Sequence, residues 1–144
     1  MLRIINDSKA QHLNRYFYTM KYLLKFEALA LCSFFTAIYA HFYPAQWGFF
    51  FSLFFVPDIS FGFYIISKKL GTIAYNLFHH QGFLLGIWAL AYYAQNELFC
   101  QIGIIFLAHS TFDRIVGYGL KYSDSFDHTH LGWIGKSKHL NKQV

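Results

Sequence analysis

Residues 106–122, "FLAHSTFDRIVGYGLKY", decide the fold class. They continue an apolar run that begins near residue 98, and they set His109, Asp113 and Arg114 inside it before the hydrophobicity ends. Ionisable groups at membrane depth cost several kcal/mol each, so they persist there chiefly where they serve a purpose. Working outward from this stretch, the chain resolves into membrane spans that each carry polar groups.

The 144 residues are 56% hydrophobic and 22% aromatic but only 13% charged, about half the charged share of an ordinary soluble domain. Four stretches reach the roughly 20 apolar residues that a bilayer crossing needs: residues 22–42, 45–66, 70–94 and 98–120. The joints between them are a few residues long, so neighbouring helices run antiparallel. The expected fold is therefore all-α, a membrane-embedded four-helix antiparallel bundle over residues 22–120. Segment 1–21 precedes it and a polar tail, 121–144, follows. The first span lacks a clean small-residue cleavage site and follows some 20 other residues, so it reads as a retained helix and not a signal peptide.

Charge placement orients the bundle. Arg3, Lys9, Arg15, Lys21 and Lys25 precede the first span, Lys68 and Lys69 join the second and third, and Lys121, Lys136, Lys138 and Lys142 follow the fourth. The two opposite joints hold no lysine or arginine. By the positive-inside rule both termini are cytoplasmic, which places the chain in the cytoplasmic membrane as a multi-pass protein. Tyr43, Trp47, Trp88, Tyr92 and Tyr93 mark the outer interface, as aromatic belts do. The formal charge of +5 is thus explained by topology, and no basic face suited to nucleic acid remains. Cys32 and Cys100 sit apart in apolar stretches and read as small hydrophobes in helix packing.

Depth sharpens the pattern. At about 1.5 Å per residue, Glu27, Asp58, Asn76, His79, His80, His109, Asp113 and Arg114 all fall roughly 7 to 17 Å from the cytoplasmic boundary. His109 and Asp113 are four apart and share a helix stripe, while Asn76 shares a face with His79 or His80. Pro57 bends or breaks the second span beside Asp58 and frees carbonyls that a polar cavity can satisfy.

Three chemistries use such a set. Two histidines with two or three carboxylates suit a divalent transition metal, zinc, manganese or iron. Asp58, His79, His109 and Asp113 are the expected ligands, Glu27 with Asp113 the acid–base candidates, and Arg114 a holder of an anionic substrate group. Alternatively, His79 and His109 ligate a haem between helices, or Glu27, Asp58 and Asp113 form a proton path. The plain structural alternative is ion pairing of Arg114 with Asp113 or Glu27. In the tail, Asp127, His128 and His130 follow the last span closely enough to fold residues 126–132 over the pocket mouth.

The motifs "VPDIS" (56–60), "LGTIAYNLFHH" (70–80), "AHSTFDRIVGYGLKY" (108–122) and "FDHTHLG" (126–132), in this order, resemble a small bacterial integral membrane family catalogued as domain of unknown function 4260. The likeness covers about residues 22–135. It implies His79 over His80 as the site histidine, and it implies that Asn76, Asp127 and His130 support the pocket. It carries no activity with it. The expected function is a metal-dependent hydrolase with a cytoplasm-facing pocket, acting on a lipid-like or anionic membrane-associated substrate. A small proton-coupled transporter or channel is the alternative, and a haem-binding or structural role the third. Nothing in the sequence sets an oligomeric state.

Overall fold

A computed structural model describes residues 2–135. Lys136, Lys138 and Lys142, used above to orient the tail, lie outside the described residues, as does the tail beyond residue 135.

Helix α1, Leu2–Phe42, runs unbroken for 41 residues because no glycine or proline interrupts it. It stops where Pro44 disfavours helical geometry at the residue before it. Helix α2, Trp47–Phe54, passes at Pro57 into a 3-10 helix, Val56–Ile65. Ser67 then caps α3, Lys68–His79, its hydroxyl accepting the Leu70 N–H at 3.1 Å. Asn96 caps α5, Glu97–Val116, in the same way through Phe99 N–H at 3.1 Å. At its far end Gly117, with φ of 109°, takes the left-handed conformation that ends the helix four residues earlier than its hydropathy suggests.

The third expected span, 70–94, is not one helix. His80 adopts φ −81° and ψ 101°, ending α3 and starting α4, Gln81–Tyr93. Its ring nitrogen Nδ1 accepts the Phe83 N–H at 3.0 Å, so the side chain supplies the cap that the break requires. The described residues therefore hold five α-helices, and the four-helix expectation is revised at this point. Three helical stretches, Arg15–Phe42, Trp47–Ile65 and Glu97–Val116, are long and apolar enough to cross a membrane.

Helix α5 is the central element, with 56% of its apolar window buried against 11% in α1. It packs against α1 and α4 along its length and touches α2 and α3. Gly103 lets Trp88 of α4 close in; a methyl there would lie 2.9 Å from the Trp88 Cβ. Ile104, Ile105, Leu107 and Ala108 of α5 meet Phe35 and Tyr39 of α1, Phe50 of α2 and Leu84 of α4. The outward faces are apolar too, with Phe34, Phe51, Ile65 and Leu90 all exposed. Helices that bury apolar residues inward and expose them outward belong in lipid.

After α5 the chain folds back. Lys121 bridges to Thr129, and strands β1, His128–Thr129, and β2, Gly132–Trp133, pair antiparallel. This small β unit docks on α3 through Asn76 and through Lys121, whose ammonium lies 4.8 Å from the centroid of the Tyr75 ring. Asn76 donates to the Lys121 carbonyl at 2.9 Å and accepts the Lys121 N–H at 2.7 Å.

Candidate metal centre

Four side chains converge from three elements: Asp58 from the 3-10 helix, His79 from the last turn of α3, and His109 and Asp113 from one stripe of α5. One ligand atom from each lies within 4.8 Å of all the others. The two Nε2 atoms are 3.2 Å apart. Asp58 Oδ1 stands 3.6 Å from His79 Nε2 and 3.5 Å from His109 Nε2. Asp113 places Oδ2 3.4 Å from His79 Nε2 and Oδ1 4.0 Å from His109 Nε2. In a tetrahedral shell with bonds of about 2.0–2.1 Å, neighbouring donors sit about 3.3 Å apart. The observed spacings cluster around that value, and the group can hold a metal ion.

The surroundings prepare three of the four. His79 Nδ1 donates to the Tyr75 carbonyl at 2.8 Å, one helical turn back, which leaves Nε2 with its lone pair facing the cluster. Its ring stacks on Tyr75 at 3.8 Å between centroids. The Tyr75 hydroxyl in turn donates to Asp113 at 2.8 Å, so one residue orients a histidine and a carboxylate. Ser110 donates to the His79 carbonyl at 2.7 Å, pinning the end of α3 to α5 where the helix breaks. His109 is held edge-on by Phe54, and its Nδ1 is buried without a hydrogen-bond partner among the described residues. Both histidines are almost fully buried and Asp113 is 14% exposed, whereas the Asp58 side chain is 34% exposed and marks the open side. Two carboxylates this close in an apolar surround repel one another, and a cation between them relieves it.

The other expected site residues go elsewhere. Asn76 anchors the tail as described above. Glu27 and Arg114 line a separate cavity between α1, the end of α5 and the tail. Equal depth on two helices gives no azimuth, and the roughly 100° between Asp113 and Arg114 carries Arg114 out of the cluster. His130 joins Arg114 there, its Nε2 accepting from the guanidinium at 2.9 Å. Burial and the Arg114 charge both depress the His130 pKa, consistent with a neutral acceptor. His80 serves as a cap. Asp127 stays near Lys121, whose ammonium is buried over the rings of Phe126 and Phe61, at 3.1 and 4.6 Å from their centroids. Burial lowers the Lys121 pKa to about 8, with Asp127 the first of the carboxylates opposing the shift. A haem between His79 and His109 does not fit, because Nε2 atoms 3.2 Å apart leave no space for a macrocycle.

Sequence reasoning gave no site role to Tyr75, which it met only within the motif of the family resemblance, or to Ser110 and Lys121. Tyr75 had a legible signal, standing four residues before His79 on the same helix face. The contacts of Ser110 and Lys121 arise only from tertiary packing.

Membrane-length apolar helices around a buried His/Asp cluster define the class, a helical membrane protein with a candidate metal centre. A family model described as domain of unknown function (DUF4260) matches residues 21–134, and the chain belongs to that family. No curated protein and no solved structure matches it.

Proposed function

We propose that this chain is a metal-dependent hydrolase of the cytoplasmic membrane, with His79, His109 and Asp113 as fixed ligands and Asp58 as the exchangeable one. The convergence of two imidazole nitrogens and two carboxylates, one donor atom of each within 4.8 Å of all the others, carries the reading. Two imidazoles and two carboxylates with that spacing favour zinc over manganese or iron, which more often take a larger oxygen-rich shell. A bound divalent ion supplies Lewis acidity and a water made acidic enough to attack near neutral pH. Asp58, on the open side, would leave the ion to make room for that water, take up its proton and return it to the leaving group. Tyr75 keeps Asp113 oriented throughout. Substrate approaches from the membrane, since the faces around Asp58 are apolar, with Ile59 and Phe55 both exposed.

Asp58→Asn keeps a neutral oxygen donor but loses the base. Incubated with an extracted membrane lipid pool, the zinc-loaded wild type is expected to release a product seen by mass spectrometry. Asp58→Asn should release it at least about 100-fold more slowly while retaining most of its metal. Ion flux in liposomes without any released product would instead establish the transporter reading.

The orientation proposed places both termini in the cytoplasm, with α3 and α4 together making the third crossing across the His80 break. In a background without Cys32 and Cys100, Asn96→Cys should react with an impermeant maleimide on intact cells. Ser123→Cys should react only after permeabilisation. The reverse pattern would invert the topology and turn the site to the outer face.

A further inference from the structure

The cavity that holds Arg114 and Glu27 has a volume of about 470 Å³ and none of the four cluster residues lines it. Lys21 and Lys25, four apart on one face of α1, and Arg114, in the last turn of α5, bring three cations to its wall. Among the described residues none of the three has a carboxylate within 4.0 Å. Arg114 spends one N–H on neutral His130 and keeps its other donors. Gly132 (φ 105°) makes room for one ammonium group, since a methyl there would lie 3.0 Å from Lys21 Nζ. Glu27 is the one acid in the lining, so the cavity carries a net charge of three minus one, or +2. Gln81 and His130 add polar groups, and most of the remaining wall is apolar, with Leu24 and Leu31 leading along α1 toward its exposed apolar face and Leu131 and Ile134 closing the tail side.

We propose that this cavity binds the phosphate monoester headgroup of an anionic membrane lipid. A phosphate monoester carries about −1.5 to −2 at neutral pH and matches the unbalanced charge. Arginine and lysine together suit it, the guanidinium through paired N–H bonds and the ammonium groups as point charges. The leucine-lined wall of α1 gives the attached acyl chains a continuous apolar path into the bilayer. Lys21 and Lys25 lie in the N-terminal half of the α1 span and Arg114 near the C-terminal end of the α5 span, so the three cations gather on one side of the bundle. The site does not rest on the metal reading.

The test uses the full chain in detergent with dioctanoyl phosphatidate, dioctanoyl phosphatidylcholine and inorganic phosphate, binding being read by native mass spectrometry. Phosphatidate should bind at least about 10-fold tighter than either comparison ligand. Lys25→Gln and Arg114→Gln should each weaken it about 10-fold, with Arg114→Lys recovering part of the loss. Removal of metal by chelator should leave it unchanged, which separates this site from the metal centre. Equal binding of inorganic phosphate would show a free-phosphate site and overturn the lipid assignment. Equal binding of phosphatidylcholine, or indifference to all three substitutions, would overturn the site.

Discussion

Purified without chelator, the wild-type chain is expected to hold close to one equivalent of zinc, and His109→Ala to bind it at least about 100-fold more weakly. His109 supplies a donor whose spacing to the other three lies between 3.2 and 4.0 Å, and alanine leaves an apolar hole in its place. Tyr75→Phe should fall between the two, losing about 10-fold, because it removes only the hydroxyl that orients Asp113. Elemental analysis with competitive chelation distinguishes the three proteins. Wild type that stays metal-free after zinc reconstitution would remove the catalytic proposal, and the cluster would become a hydrogen-bonded packing device.

Asn76→Ala carries the second large effect, on the tail and not on the cluster. Its amide makes two hydrogen bonds to the backbone of Lys121, at 2.9 and 2.7 Å, beside an ammonium buried in aromatic rings. Losing both and stranding the two backbone groups should cost the docked tail about 2 to 4 kcal/mol. That corresponds to local opening about 30- to 900-fold more frequent. Hydrogen exchange of the amides of Lys121, Tyr122 and His130 should accelerate accordingly, while those of α5 hold. Unchanged exchange at these three amides would mean that the tail is held by the β unit itself and not by Asn76.

Much of this architecture is legible in the residues. Apolar length identified the stretches that became α1, the α2–3-10 segment and α5, and polar depth with i,i+4 spacing selected Asp58, His109 and Asp113. Spacing left His79 and His80 equivalent, and only the family resemblance favoured His79. The structure gives the physical reason: the break at His80 turns its ring to the cap of α4 while His79 stays on the α3 face beside Tyr75. That break lies in the polar stretch His79, His80, Gln81 and Gly82, but no proline marks it, and hydropathy averaged over a membrane's length runs across it. Gly117 was a readable stop that hydropathy overrode. Glu27 and Arg114 were misplaced because depth along a helix says nothing of direction around it. The docking of Asn76 on Lys121 pairs residues 45 apart in sequence, a separation no local pattern reports.

The 3-10 helix bears on how the centre is loaded. Three ligands belong to packed α-helices, but Asp58 rides on a ten-residue stretch of tighter winding, where hydrogen bonds are poorer and such length is unusual. Each residue there turns about 120°, against about 100° in an α-helix. Rewinding the two residues from Val56 to Asp58 would swing the carboxylate by about 40° without parting α3 from α5. On the proposed reading the ion arrives in a preset three-sided seat, and the fourth ligand then closes on it like a latch. Exchange of the ion would thus be limited by the rewinding of one short turn and not by the opening of the bundle.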